Sequence, residues 1–189
     1  MTQEARPDAD TADGTWINQS ENQTNLYASV DEASHDDSTT FIKCTDETGN
    51  NEVVILRLSD VSAPGSGDAY IKYRAVTQDN MMGGYGPGLK LELLEGDGSG
   101  GYDVRASTQN DAVEYDGSTW TSYSYTISDV SGITDWTDLY IRLTMMTTSG
   151  MGDVMYVTQV YLQTQDAAAA AAPAADPDLP GAAFLMFID

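Results

Sequence analysis

The sequence contains one cysteine and one histidine, and each scarcity limits the chemistry available to the chain. Cys44 alone cannot form a disulfide within the chain or build a zinc cluster. His35 is the single histidine and stands in the polar run "DEASHDDSTT", so no Ser-His-Asp or Cys-His arrangement can be ranked above chance. Carboxylates are abundant, but nothing in the sequence singles out an opposed catalytic pair. We therefore expect no catalytic residues and no cofactor other than a possible structural calcium ion.

Basic residues are also scarce. Eight lysines and arginines face 30 acidic residues, which gives a net charge of −22 over 189 residues. Such a chain repels nucleic-acid backbones and anionic membranes. No apolar run approaches the roughly 20 residues of a membrane span, and the N-terminus lacks the basic start and apolar core of a signal peptide. We expect neither a nucleic acid nor a membrane as partner.

Short runs of alternating apolar and polar residues fill the chain between Trp16 and Gln163. No segment there sustains a 3.6-residue period, and Thr, Tyr and Val are abundant. The predicted strands are 24–29, 40–44, 52–59, 69–76, 88–95, 102–107, 119–127, 138–147 and 154–163. This pattern predicts an all-β, antiparallel, jelly-roll-like β-sandwich over 14–165. A flexible acidic arm (1–13) would precede it, and an Ala/Pro linker with an apolar tail (166–189) would follow.

Aromatic residues concentrate in "YDGSTWTSYSY" (115–125), which allows two interpretations. Strand alternation places Tyr123 and Tyr125 on one face, and Ser122 and Ser124 on the other. If the rings face solvent, they form a platform for sugar binding, together with Trp120. If they face inward, they fill a core that otherwise lacks phenylalanine. The second interpretation is favoured.

Acidic loops provide candidate ligands for a calcium ion. Carboxylate and carbonyl oxygens are what calcium prefers, and the loops 31–37, 95–103 and 131–138 could supply them. Asp36, Asp37 and Asp97 are the first candidates. None of these loops has EF-hand spacing, and Asp/Gly loops are also ordinary hairpin connections, which is the favoured interpretation.

The glycine-rich loop "DNMMGGYGPG" (79–88) has no phosphate-binding signature. It carries Met81, Met82 and Tyr85, side chains that suit a protein interface. A plain connecting loop is the equal alternative.

The C-terminal stretch "AAAAAAPAADPDLPGAAFLMFID" (167–189) ends in an apolar pentapeptide: Phe184, Leu185, Met186, Phe187 and Ile188. Burying these side chains would contribute about 1.5–3 kcal/mol each, while ordering each residue costs about 1–2 kcal/mol. The net gain of a few kcal/mol would give weak binding for one tail and avid binding for several. The pentapeptide is expected to dock on a partner; packing on its own sandwich is the alternative.

The order of several motifs resembles a known family. "YASVDEASHDDSTTFI" is followed by "LRLSDVSAP", "YIKYRA", "LKLELLEG", "DWTDLYIRLT" and "MYVTQVYLQ". Over about residues 14–163 this succession resembles a recurring β-sandwich module of tailed-bacteriophage virion structural proteins. No catalytic residue carries over from that family.

The resemblance implies a non-enzymatic virion protein. The leading expectation is a decoration (cement) protein on the capsid surface, which binds the major capsid protein and copies of itself, as a homotrimer. One alternative is a carbohydrate-binding jelly-roll module that contacts host glycans. Another is a neck, tail or head-fibre component of the virion.

Overall fold

A computed structural model describes residues 2–34, 36–37, 39–45, 51–65, 68–78, 87–110, 113, 119–146 and 152–165. Over these residues the regular secondary structure consists of strands and one short 3-10 turn. Within the same ranges, no helix is long and apolar enough to cross a membrane.

Eleven strands form the described part of the chain. They are β1 (Thr2–Ala5), β2 (Pro7–Ala12), β3 (Ile17–Asn18), β4 (Ile42–Thr45), β5 (Glu52–Leu58), β6 (Ala69–Gln78), β7 (Gly88–Gly96), β8 (Tyr102–Asn110), β9 (Thr121–Ile127), β10 (Leu139–Met146) and β11 (Val154–Gln165). From β4 onward they match the predicted runs to within a few residues.

The strands make two antiparallel sheets. Sheet A has the order β3-β4-β11-β6-β9, with β1 also paired to β11, and sheet B has the order β2-β5-β10-β7-β8. From β4 to β11 each connection crosses to the other sheet, except the β7–β8 hairpin. This is the strand order of an eight-stranded jelly roll with extra strands at its margins. The predicted fold class, an antiparallel jelly-roll-like sandwich, is confirmed.

Aliphatic side chains from the two inner faces fill the core. Strand alternation sends every second residue inward, so that Leu89, Leu91 and Leu93 of β7 are fully buried. Burial of each such side chain contributes about 1.5–3 kcal/mol to the free energy of unfolding. Trp16 is also fully buried, and its indole Nε1 donates to the Glu52 carbonyl at 3.2 Å. Phe41 lies outside this core, which agrees with the expectation that the core does without phenylalanine.

The predicted strand at 24–29 is wrong. Residues Tyr27–Ser29 form a 3-10 turn, and the apolar residues flanking it, Leu26 and Val30, are fully buried. The carboxylate of Asp10 accepts hydrogen bonds from the backbone N–H of Leu26 at 2.9 Å and of Tyr27 at 2.7 Å. The Asp10 side chain therefore takes the place of the neighbouring strand that would otherwise accept these backbone hydrogen bonds.

The N-terminal segment corrects the expectation of a flexible arm. Residues 2–5 pair with β11 and residues 7–12 pair with β5, so the segment adds one strand to each sheet. Ala5 and Pro7 are buried, while most of the other side chains are polar and partly exposed. Backbone hydrogen bonds need no apolar sequence, which is why the polar composition concealed these strands.

Glu95, near the end of β7, connects β7 by hydrogen bonds to β8 and to the loop that precedes β10. Its buried carboxylate accepts from the backbone N–H of Thr134 at 3.1 Å, from the N–H of Asp135 at 2.6 Å and from Arg105 Nε at 2.7 Å. Burial alone would raise the pKa of Glu95, but these hydrogen bonds outweigh it and hold the pKa below its ordinary value.

We expect Glu95→Gln to lower the free energy of unfolding by about 2–3 kcal/mol at pH 7, because an amide replaces a buried, fully bonded carboxylate. The pKa of this carboxylate is lower in the folded protein than in the unfolded chain. The carboxylate therefore stabilises the fold fully above the unfolded-state pKa, and this contribution is lost as the pH falls through the folded-state pKa. The difference from the parent protein should therefore shrink below about pH 4.5, the ordinary pKa of this group. Denaturant unfolding at several pH values measures it.

Asp103→Asn is the matched control, because Asp103 binds the same Arg105 at 3.0 Å but its side chain is 57% exposed. Asp103→Asn should lower the free energy of unfolding by less than about 0.5 kcal/mol. Equal losses for the two variants, or a Glu95→Gln difference that does not change with pH, would contradict the assignment.

Candidate functional site

The outer face of sheet A, which points away from the core, carries the candidate site. On β6 the inward side chains include Ile71 and Tyr73, whereas Tyr70, Lys72 and Arg74 point outward and are half-buried. This division agrees with the alternation in the sequence.

Strand pairing places polar side chains on both sides of Lys72. Its register partner on β9 is Ser124 and its register partner on β11 is Tyr161. Side chains directly opposite on neighbouring strands have Cβ atoms about 4.5–5.5 Å apart, so the three form one row across the sheet. The next row consists of Ser122, Arg74 and Gln159.

A cleft of about 270 Å³ lies along these two rows, and its lining includes Lys72, Ser122, Ser124, Gln159 and Tyr161. Among the described residues, no hydrogen bond or ion pair reaches the ammonium of Lys72, the hydroxyl of Ser124 or the hydroxyl of Tyr161. These three polar groups are therefore open to a ligand or to water.

Tyr161 contributes an aromatic ring to the cleft. The guanidinium carbon of Arg6 lies 4.6 Å from the ring centroid and covers one face of the ring. Burial raises the pKa of the Tyr161 phenol, the charge of Glu4 raises it further, and Arg6 opposes both. The phenol is therefore neutral at physiological pH and can donate a hydrogen bond.

A second aromatic group lies further along the same face. Tyr156 meets Phe41 edge-to-face at 5.3 Å and Trp120 at 6.4 Å, measured between ring centroids. All three side chains are half-buried. The register places Val76, which is 2% exposed, beside Tyr156 on this outer face.

The loop that precedes β4 is tied to this face by an ion pair. Arg74 donates from Nε and Nη2 to the two oxygens of Asp37, at 2.6 and 2.8 Å. It also donates from Nη1 to the Ser122 hydroxyl at 3.0 Å. The hydrogen bond to Asp37 raises the pKa of Arg74. Next to it, Gln159 Nε2 donates to the Glu32 carbonyl at 2.7 Å. The loop is thereby fixed beside the cleft.

The outer face of sheet B has a larger groove, about 400 Å³, of different character. Glu92 accepts there from Arg142 Nε at 2.6 Å, and Lys90 Nζ lies 2.8 Å away. Burial alone would raise the pKa of Glu92, but these two cations outweigh it and lower the pKa. Both cations thus bind the single carboxylate of Glu92. The other walls include the aliphatic Val53 and Ile55, and no aromatic ring lines the groove among the described residues.

Tyr123 and Tyr125 face inward, as the favoured interpretation of the sequence predicted, whereas Trp120 lies beside Tyr156 on the outer face. Both inward-facing tyrosines pack against the core cluster, and Tyr123 stacks on Tyr73 with ring centroids 4.9 Å apart. Ser122 and Ser124 are exposed on the opposite face of β9.

The three calcium candidates lie in hydrogen-bonded loops. Asp36 accepts from the backbone N–H of Thr40 at 2.8 Å, and Asp37 is bound to Arg74. Asp97 accepts from the N–H of Ser99, and backbone hydrogen bonds of this kind lower its pKa. Within the parts of the chain that the structure describes, no three metal-binding side chains are grouped. A calcium site stays a prediction.

The predicted interface residues lie outside the described residues. This applies to Met81, Met82 and Tyr85 of the glycine-rich loop, and to the C-terminal pentapeptide 184–188. His35 is also outside them. Their roles stay predictions.

Comparisons with known proteins concern the fold alone. No protein-family model matches the sequence, and no curated protein matches it. Among solved structures, it is similar to the CBM22-1 xylan-binding domain of Paenibacillus barcinonensis Xyn10C, with 16% identity, 89% of this chain and 95% of that chain covered, and a TM-score of 0.48. The C-terminal CBM6 of LamC from Zobellia galactanivorans gives 13% identity, coverage of 87% and 100%, and a TM-score of 0.47.

A third similar structure is the xylan-binding module CBM15, with 12% identity, coverage of 88% and 98%, and a TM-score of 0.45. At these identities and scores no ligand and no site residue is transferred to this chain. No bacteriophage protein is among these three, and the resemblance to virion modules is not shown by them.

Sequence reasoning missed Lys72, Tyr161 and Arg74 as functional candidates. The alternation of "AYIKYRAV" placed Lys72 and Arg74 on one face, but it did not say which strands lie beside them. The neighbours come from β9 and β11, which are about 50 and 90 positions away in the sequence. Only the pairing shows that hydroxyl and aromatic groups surround this lysine.

Arg74→Gln should lower the free energy of unfolding by about 1–2 kcal/mol, because it removes a bidentate, partly buried ion pair that holds the loop. Arg57→Gln is the control, since its side chain is 41% exposed and its carboxylate partners lie 3.8 and 4.0 Å away. It should cost less than about 0.5 kcal/mol. Chemical denaturation compares them, and equal losses would contradict a structural role for the Asp37–Arg74 pair.

Proposed function

We propose that this protein is a carbohydrate-binding module that holds a glycan chain against the outer face of sheet A. The observation that carries the proposal is the row of Lys72, Ser124 and Tyr161. In this row an aromatic ring lies beside three polar groups, and none of these groups has a hydrogen-bond partner among the described residues.

The chemistry of this row suits a sugar. A pyranose ring presents C–H groups on its faces and hydroxyl groups around its edge. An aromatic ring packs on the C–H face, while hydroxyl and ammonium groups bind the hydroxyls. Tyr161 supplies a ring and a hydroxyl, and Ser124 and Lys72 supply further polar groups beside it.

The shape of the face suits a polymer. Outward side chains follow one another along the margin of the sheet, from Trp120, which immediately precedes β9, to Thr126 near its end. At about 3.3 Å per residue this stretch is about 20 Å long, enough for several sugar units. It is an open surface with a shallow cleft, whereas a free monosaccharide is better held in a deep pocket.

The groove on sheet B suits a sugar less well. Its cations are both bound to Glu92, so a ligand would have to compete with existing ion pairs. Its lining contains no aromatic ring among the described residues.

The expectation of a capsid decoration protein stays a prediction. It came from the motif resemblance over about residues 14–163, and its candidate docking segments, the glycine-rich loop and the C-terminal pentapeptide, lie outside the described residues. The partners that it named, the location on the virion and the absence of enzymatic activity also stay predictions. A β-sandwich is compatible with this function and with glycan binding, so the fold does not separate them.

Affinity gel electrophoresis against β-glucan, xylan, galactan, glucuronoxylan and alginate tests the proposal. We expect retardation by at least one polymer. Tyr161→Ala should weaken that binding by about tenfold, because one aromatic contact and one hydrogen bond are lost.

Tyr140→Ala is the matched control. This half-buried tyrosine of sheet B also has an aromatic neighbour, Tyr102 at 4.9 Å, and donates to Asp138 at 2.7 Å. Its loss should leave the glycan affinity unchanged. No binding by the parent protein, or equal losses in two folded variants, would contradict the proposal.

A further inference from the structure

Lys72 differs from the other basic residues of the protein. All eight lysines and arginines lie in the described part of the chain, and seven of them have a carboxylate oxygen within 4.0 Å. These seven are Arg6, Lys43, Arg57, Arg74, Lys90, Arg105 and Arg142. Within the described residues, Lys72 is the one cation without a carboxylate partner.

The absence of a partner is notable because acidic residues outnumber basic ones by 30 to eight. Two carboxylates close to the neighbouring rows already bind arginines. Asp37 is held by Arg74 on one side, and Glu4 is held by Arg6 on the other. The local arrangement thus leaves the charge of Lys72 uncompensated in the middle of the cleft.

We propose that the glycan bound at this cleft carries an anionic substituent, a carboxylate or a sulfate, which forms an ion pair with Lys72. This inference rests on the proposed function and specifies its ligand class. The substituent would lie on the row of Lys72, Ser124 and Tyr161, where an ammonium and two hydroxyl groups can all donate to its oxygens.

A charged substituent gains more from this row than a neutral one. Hydrogen bonds between an ammonium and an anionic oxygen are shorter and roughly twice as strong as those between neutral groups. A neutral sugar would offer Lys72 only hydroxyl oxygens and would leave its charge without a counterion.

The overall charge restricts how many anionic groups the ligand carries. A net charge of −22 repels a dense polyanion such as a nucleic acid. One unpaired cation in one cleft fits a chain with a largely neutral backbone and sparse acidic branches. We therefore assign the site to a sparsely acidic glycan.

Isothermal titration calorimetry with paired polymers tests this inference. One pair is glucuronoxylan and the same polymer with its carboxyl groups reduced to alcohols. The other is a lightly sulfated galactan and its desulfated form. Titrations at about 0.15 M salt limit long-range repulsion, since the Debye length is then about 8 Å.

We expect the parent protein to bind the acidic member of at least one pair about tenfold more tightly than the neutral member. Lys72→Met should remove that preference, because it should weaken binding of the acidic member about tenfold more than binding of the neutral member. Lys72→Arg should retain most of it. The pair that shows the preference tells whether the anion is a carboxylate or a sulfate.

Lys90→Met is the matched control, because Lys90 is a half-buried lysine of the opposite sheet that already has a partner in Glu92. It should leave both affinities unchanged. Equal binding of both members by the parent protein, or equal losses for both in Lys72→Met, overturns the anionic ligand but leaves glycan binding standing. Absence of binding to every polymer overturns the proposed function itself. Lys72-dependent binding of a single-stranded oligonucleotide would overturn the assignment to a glycan.

Discussion

Strand β6 hydrogen-bonds to β11 on one side and to β9 on the other, and the candidate site depends on the register of these two pairings. Because side chains alternate between faces, a slip of one residue would send Lys72 into the core and Tyr73 into solvent. The inner face prevents that slip: Ile71 is fully buried and Tyr73 stacks on Tyr123. Packing in the core thereby fixes which polar groups meet on the outside.

The few basic residues act mainly as ties between segments of an acidic chain. Arg6 bonds to the Asp31 carbonyl at 3.3 Å and stacks on Tyr161, Arg74 holds the loop at Asp37, and Arg105 completes the buried cluster around Glu95. Arg6 and Arg74 connect positions 25 and 37 residues apart, whereas Arg105 connects the two strands of one hairpin. Lys72 makes no such connection, which is why a ligand is the most direct explanation of its place in the cleft.

Much of the fold follows from sequence patterns, and the exceptions have physical causes. Period-2 alternation located the strands from β4 onward, and it divided Tyr123 from Ser124 correctly. It failed at 24–29, where the Asp10 carboxylate accepts the backbone hydrogen bonds of a turn. It also failed at 2–12, where backbone pairing with β11 and β5 holds polar strands in place. The candidate site was not predictable, because it combines β6, β9 and β11, and no local pattern states which strands are neighbours.

The central claim is that a glycan binds the outer face of sheet A at Lys72, and mapping of amide chemical shifts during titration with an acidic oligosaccharide tests it most directly. Binding at Lys72 should give the largest shifts in residues 70–74, 122–126 and 159–163, three segments that only the folded sheet brings together. Shifts centred instead on Val53, Glu92 and Arg142 would place the ligand on sheet B and contradict the account.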